Sequence, residues 1–430
     1  MRDLPRGEEA VAHRYAQQIV EGDRMGTGQS ARYDTVVVGA GILGLAVARE
    51  LRLRRPAARI AVIDREQSVG AHQTGHNSGV IHSGIYYTPG SLKAALCVQG
   101  ARLMYDYCDE HAIPYRRCGK LIVARSDGEL GRLDELERRG RANGVPGLRR
   151  VAGCDIPDIE PNAVGMQALH APGTGIVDYG RVARAIADEL RGSGVELLLG
   201  RTVSRVVPRG GGVVVSHDAD QLAAERVIVC AGLWSDRIAR RSGACADPRI
   251  VPFRGAYLRL KITDPPVVRG MVYPVPDPDL PFLGVHVTRH IDGHVLLGPT
   301  ALAVASREAY RLTRVSARDA YDTLTWPGSW RVAGRLWRTG IDELRLAASR
   351  RAFVRACAEY VPSIDVEDLD GTTAAGVRAQ AVGRDGALVD DFVITQVGAV
   401  SHVRNAPSPA ATSAFALAAE ILRRTGTATA

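Results

Sequence analysis

The chain has 430 residues, 46% of them hydrophobic and 24% charged, which is more than one ordinary domain needs and enough apolar content for large cores. Its formal net charge is +8, yet of 55 basic residues only Lys93, Lys120 and Lys261 are lysine, and the arginines are scattered rather than blocked. That pattern excludes a nucleic-acid-binding stripe and leaves acidic small molecules or lipid surfaces as partners.

In chain order, residues 1–32 form a hydrophilic extension, either a short helix or disordered, and Met25 is an alternative start. Residues 34–64 then carry a complete βαβ dinucleotide fingerprint. An apolar strand (Val36–Val38) runs into Gly39-Ala40-Gly41-Ile42-Leu43-Gly44 and a helix, and a second strand (Ile60–Ile63) ends in Asp64. Gly39 permits the tight turn, Gly41 lets backbone N–H groups approach a pyrophosphate, and Gly44 lets helix and strand pack closely. Asp64 is placed to accept hydrogen bonds from a ribose. The motif alone does not distinguish NAD from FAD.

Leu130–Ala142 reads as a charged helix, and Arg181–Leu190 as an amphipathic one with Asp178 near its start as a cap. Val195–Leu199, Val213–Ser216 and Val227–Val229 read as strands, the last breaking at Ala231-Gly232, a second close approach for a cofactor. Residues 250–300 alternate between strand-like runs (256–260, 282–287 and 294–298) and Pro-rich turns, which predicts an antiparallel substrate-binding sheet. Residues 301–360 turn helical and Arg-rich, 372–405 return to strands, and Pro409–Leu422 reads as a closing helix. No second glycine-rich strand–helix unit appears. One fingerprint at the start and a strand–helix return at the end suit a single FAD bound in extended form. The expected fold class is α/β (α+β, two-domain): a Rossmann-like FAD-binding domain (33–120, 170–245 and 370–424) interleaved with an antiparallel-sheet substrate domain (121–169 and 246–369).

Seven cysteines without a CxxC pair or Cys/His metal spacing suit a reducing cytoplasm and no metal site, with covalent flavin attachment left open. No run of 18 apolar residues suggests a spanning helix, and the polar N-terminus lacks a secretory h-region.

The segment from His72 to Lys93, HQTGHNSGVIHSGIYYTPGSLK, resembles the L-2-hydroxyglutarate oxidase/dehydrogenase family of D-amino-acid-oxidase-like FAD enzymes. Pro252–Gly255, Tyr273–Pro278, Pro281–His286, Gly376–Ala381 and Asn405–Ser413 agree, in the expected order, so the resemblance covers about residues 33–424. It implies that the loop of Gly75, Gly79 and Gly84 crosses the flavin, with Asn77 and Ser78 hydrogen-bonding the cofactor and His82 near the reactive ring. Ile42, Arg65, Thr74, Val203, Ala231, Gly232, Asn405, Ser408, Pro409 and Ala410 complete the expected cofactor contacts. Pro409 is expected in the first turn of the last helix, whose N-terminus would face the flavin.

Oxidising a 2-hydroxy acid needs a base for the hydroxyl proton, and histidine titrates near working pH. His82 is the expected base and His286 its rival. Related flavoenzymes carry a carboxylate-binding arginine at the position of Arg378, and a guanidinium grips a carboxylate by two parallel hydrogen bonds. Arg254 is the candidate for a second carboxylate, with Tyr257, Tyr273 and Tyr86 as phenol donors. Trp326, Trp330 and Trp337 interleave with arginines and suggest peripheral contact with an anionic membrane face, where a quinone would collect electrons; oxygen is the other acceptor. The expected reaction is FAD-dependent oxidation of L-2-hydroxyglutarate to 2-oxoglutarate. A flavin-dependent amine or amino-acid oxidase and a non-catalytic flavin-binding scaffold are the alternatives.

Overall fold

A computed structural model describes residues 32–278 and 283–426. The N-terminal extension through residue 31 and the Phe282 end of the expected 282–287 strand lie outside the described residues. The strand Arg32–Val38 pairs in parallel with Ile60–Ile63 on one side and with Asp220–Val229 on the other. Asp220–Val229 in turn pairs in parallel with Val400–Asn405, and Ile60–Ile63 with Glu196–Leu198. Val36, Val37 and Val38 are all buried, as a central strand covered on both faces requires. Helix Ile42–Arg54 packs on this sheet with Tyr179–Gly192 and Ala414–Arg424 through one cluster that includes Val47, Leu51, Val182, Ile186, Leu417 and Ile421. Asp178 caps its helix as expected, accepting from the N–H groups of Gly180 and Arg181 at 2.8 and 3.2 Å.

The second sheet has nine strands among the described residues. Its spine is the long antiparallel pair Arg249–Leu260 and Leu369–Val382, in register from Arg249 opposite Val382 to Leu258 opposite Thr373, with a register shift before Leu260 meets Leu369. The sheet is antiparallel except where Met271–Pro274 runs parallel to Lys120–Ala124. The strand Leu369–Val382 therefore belongs with this second sheet. The chain returns to the dinucleotide sheet only at Val393–Val397 and Val400–Asn405, not at residue 370.

The closing helix also differs from expectation. It starts at Ala414 and not at Pro409, and residues 407–413 form successive turns, with Pro407 O accepting from Ala410 N and Pro409 O from Ser413 N. Pro409 thus sits in the loop before the helix. The Arg-rich stretch forms four helices, Ala317–Leu324, Pro327–Arg335, Trp337–Ala348 and Arg350–Ala358.

The two sheets are joined by a buried ion pair. Arg307 Nη2 reaches Asp236 Oδ2 at 3.0 Å and Ile250 O at 3.3 Å, and Nη1 reaches Leu233 O. Asp236 also accepts from Ile250 N at 3.1 Å. Burial works to raise the Asp236 carboxyl, but the Arg307 guanidinium holds it below the usual carboxylate range. Leu233 and Asp236 follow the central strand Asp220–Val229, and Ile250 is the second residue of the spine strand Arg249–Leu260. Removing one partner leaves the other charge buried and unpaired, which costs about 3–5 kcal/mol. Arg307→Met is therefore expected to lower stability by that order in urea unfolding, and a loss under about 1 kcal/mol would show that the pair does not join the sheets.

Candidate active site

A cavity of about 910 Å³ runs from the glycine-rich turn to the strand pair of the second sheet. At the turn, Gly39 has φ +113, and a Cβ there would lie 2.3 Å from Cys230 O. A Cβ on Gly44 would lie 1.9 Å from Gly39 O, so helix and turn close on bare backbone. Gly41 lines the cavity, and a Cβ there would meet only Thr74 Oγ1, at 3.4 Å, which leaves its backbone open to approach. The Ile42 N–H donates to Thr74 Oγ1 at 3.0 Å. Asp64 is held by the N–H groups of Ala40 (2.6 Å to Oδ2) and Glu66 (2.8 Å to Oδ1), and still lines the cavity. A carboxylate fixed this way keeps acceptor capacity for a ribose. These residues fit an extended dinucleotide.

Val203, Ala231, Gly232, Asn405, Ser408, Pro409, Ala410 and Arg65 also line this cavity. Arg65 is more occupied than the sequence suggested. Its guanidinium lies 3.9 Å from the Trp234 ring centroid and pairs with Glu66 at 2.8 Å and with Glu308. Glu66 Oε1 also meets His72 Nε2 at 2.8 Å, and His72 Nδ1 meets the Tyr310 hydroxyl at 3.1 Å. Trp234, Glu66 and His72 line the cavity, and sequence reasoning did not single them out as site residues.

One expected cofactor contact, Gly79, is corrected, while Asn77 and Asn405 line the cavity with their amide nitrogens already bonded within the protein. Asn77 spends its amide on its own loop, donating to Gln73 O and Thr74 O and accepting from Gly79 N at 2.8 Å. Gly79 lies behind the loop, where a Cβ would meet Val177 O at 2.6 Å, and it does not line the cavity. The Asn405 amide donates to Val389 O and Asp391 O, both at 2.9 Å, so its nitrogen braces the neighbouring chain.

At the other end stand Tyr86, His82, Tyr257, Tyr273, His286 and Arg378, all lining the cavity. Tyr257 is buried, and its phenol oxygen is engaged by both Arg378 and Ser78, which partly offset the rise that burial imposes on its pKa. The Tyr273 and His286 rings stack at 3.8 Å between centroids and 17° between planes. His286 Nδ1 lies 2.9 Å from Gly284 O. A carbonyl only accepts, so Nδ1 carries the proton and Nε2 is the basic nitrogen. Burial lowers the His286 pKa to about 3. Burial likewise holds His82 well below the ordinary histidine value, reinforced by nearby cationic groups, Lys120, Lys93 and Arg378 among them. Both shifts favour the neutral ring, the form that a base requires.

Arg254 is corrected outright. In the antiparallel register Phe253 faces Arg378 and Arg254 faces Val377, so Arg254 and Arg378 point to opposite faces of the spine. Arg254 Nη2 donates to Tyr310 O at 3.3 Å, and Arg254 does not line the cavity.

The sequence profile of the FAD-dependent oxidoreductase family matches residues 34–424. The chain belongs to that family. Its cofactor is FAD, and the glycine-rich turn is where the family's dinucleotide fits. The chain is 47% identical to the mitochondrial L-2-hydroxyglutarate dehydrogenase of Nematostella vectensis, covering 90% of this chain and 89% of that one. It is 40% identical to the L-2-hydroxyglutarate dehydrogenase of Indibacter alkaliphilus, covering 90% and 96%. Its fold is similar to that of the FAD-bound L-α-glycerophosphate oxidase of Mycoplasma pneumoniae, with a TM-score of 0.75 at 21% identity over 92% and 95% of the two chains.

The register gives the two arginines different expected effects. Arg378→Ala should lose roughly 3–5 kcal/mol of transition-state stabilisation with FAD content unchanged, whereas Arg254→Lys should stay within about threefold of wild type, some 0.7 kcal/mol. Steady-state kcat/KM of both variants decides, and a larger loss at Arg254 would reverse the assignment.

Proposed function

We propose that the protein oxidises L-2-hydroxyglutarate to 2-oxoglutarate. The observation that carries this reading is one cavity joining the dinucleotide turn to an Arg378–Tyr257 pair and two neutral histidines. Bound FAD supplies the two-electron acceptor that takes a hydride from Cα. Arg378 and the Tyr257 hydroxyl hold the C1 carboxylate and fix which face of Cα is presented. Thr412 Oγ1 accepts from the His82 N–H at 3.1 Å, which ties this histidine's backbone to the loop before the last helix. The His82 ring takes the hydroxyl proton as hydride leaves, so one C–H and one O–H bond break and C=O forms. The names of the 40–47% identical relatives support this substrate. An anaerobic flavin-reduction screen over L- and D-2-hydroxyglutarate, lactate, malate, glycerol-3-phosphate and amino acids tests it, and ammonia release would favour amine oxidation instead.

The cofactor contacts of this reading are the backbone of Gly39, Gly41, Ile42 and Gly44, the Asp64 carboxylate, and the lining at Val203, Ala231, Gly232 and Ser408–Ala410. Seven free cysteines support a reducing compartment such as a cytoplasm.

A second feature concerns the electron acceptor. Leu312, Val315, Tyr321, Leu324, Trp330 and Trp337 are exposed by 56–67% and lie among arginines, the first two in the segment before helix Ala317–Leu324 and the others on that helix and the next two. Trp326 does not share this face: it is buried, and its Nε1 donates to Val382 O at 2.9 Å. Exposed tryptophan and leucine beside arginine suit the interface of an anionic membrane, from which a quinone would draw electrons. No helix of the described residues is long and apolar enough to cross a membrane. Co-sedimentation with phosphatidylglycerol vesicles, lost in Trp330→Ser/Trp337→Ser and absent with phosphatidylcholine, is the expected outcome. Equal binding by wild type and the double variant would leave oxygen as the acceptor to test.

The histidines are separated by pH. A base with a depressed pKa stays neutral until the pH falls below the ordinary histidine range, so the acidic limb of kcat/KM should lie below pH about 6.5. His82→Gln should slow anaerobic flavin reduction roughly 100-fold and flatten that limb, while His286→Gln keeps it. A near-normal rate with the limb intact in His82→Gln would pass the role to His286.

A further inference from the structure

Of the three lysines among 55 basic residues, Lys93 lines the cavity and Lys120 lies against two rings, Tyr86 and Tyr273, that line it. Lys93 lines its wall and is paired, Nζ to Asp390 Oδ1 at 2.7 Å. Lys120 is different. It opens the strand Lys120–Ala124, is 1% exposed, and its ammonium lies 4.1 Å from the Tyr273 ring centroid and 5.3 Å from that of Tyr86. Both rings line the cavity, and Tyr273 stacks on His286. The titratable groups around Lys120 are His82 and Tyr86 from the long loop, Cys97 from helix Leu92–Glu110, Cys118 just before its own strand, Tyr273 and His286. Lys93 and Arg378 are the nearby cations. No carboxylate is among the groups acting on it.

A buried ammonium held only by aromatic faces is poorly compensated. Burial brings its pKa from 10.5 down to about 7, with the two thiols opposing. The substrate class proposed above carries two carboxylates, and Arg378 answers one of them. A permanent counter-charge for the second, buried against the Tyr86 and Tyr273 rings with no carboxylate acting on it, would be stranded when the site is empty. Lysine can avoid this and arginine cannot, because a guanidinium does not deprotonate. We propose that Lys120 is a proton-linked counter-charge, taking one proton from solvent onto Nζ when a dicarboxylate binds beside Tyr86 and Tyr273. The only bond formed is N–H, and the new positive charge offsets the second carboxylate. This rests on the dicarboxylate reading of the site. The sign follows from linkage. Binding raises the Lys120 pKa, so affinity is full below the free-enzyme value and falls as pH rises through it, by at most about tenfold per unit. Saturating kcat does not share that limb, because the complex keeps the proton.

The test is calorimetric titration of the FAD-loaded enzyme with glutarate, an unreactive dicarboxylate, at pH 8 in two buffers of different ionisation enthalpy. Wild type is expected to take up a sizeable fraction of a proton. Lys120→Met should bind more weakly with no uptake, and Lys120→Arg should bind with no uptake and lose the alkaline limb of kcat/KM. Unchanged uptake in either variant, no uptake in wild type, or no glutarate binding overturns the proposal. Failure of the substrate reading appears separately, as Lys120-dependent uptake with glutarate in an enzyme whose flavin L-2-hydroxyglutarate does not reduce.

Discussion

The His76 carbonyl oxygen lies 2.3 Å from where a Cβ on Gly376 would stand. That contact presses the loop that follows the dinucleotide strands onto the spine of the other sheet. Only a bare backbone admits it. From Gly376 the strand register does the rest: Arg378 two residues on and Tyr257 on the partner strand come to the same face, and Ser78 of the pressed loop meets the Tyr257 phenol. Arg378 and the Tyr257 phenol are thus positioned by the element that follows the dinucleotide turn, and the two ends of the cavity are coupled through packing. Arg307 and Asp236 hold the same junction from behind.

What could be read from the sequence was local. The fingerprint at Gly39–Gly44 and the acid at Asp64 are set by turn sterics and helix N-terminal geometry within thirty residues, and the structure places them as expected. Tyr257, Tyr273, His82, His286 and Arg378 reached the cavity as the resemblance implied. Arg254 did not, because a strand residue's face depends on parity and register with a strand more than a hundred residues away. The Asn77 amide is spent on its own loop for a related reason. A polar side chain in a tight loop satisfies its own backbone first, and a sequence does not show which donors the loop leaves unpaired. The start of the last helix was misplaced because Pro409 is as much at home in a turn as in a first helical turn.

The strand Leu369–Val382 shows the same limit at the level of sheets. Its composition says strand, but membership in one sheet or the other is decided by the long pairing with Arg249–Leu260. Lys120 did carry a signal. In a chain that uses arginine almost everywhere, a lysine inside the apolar run Lys-Leu-Ile-Val-Ala marks a place where a permanent charge is unsuited.

The charges of the cavity serve two ends at once under the proposed reading. Lys93 and Arg378 draw a dianion in, and the same charges, added to burial, keep His82 deprotonated. A histidine held that far down is a weak base in the empty enzyme. When a dianion arrives, its negative charge cancels much of the field of those cations at the imidazole, and the His82 pKa rises toward the range where proton abstraction is efficient. Base strength is then acquired with the substrate instead of being maintained beforehand. An empty site stays neutral at its histidines, and the proton acceptor becomes effective only where there is a hydroxyl proton to accept.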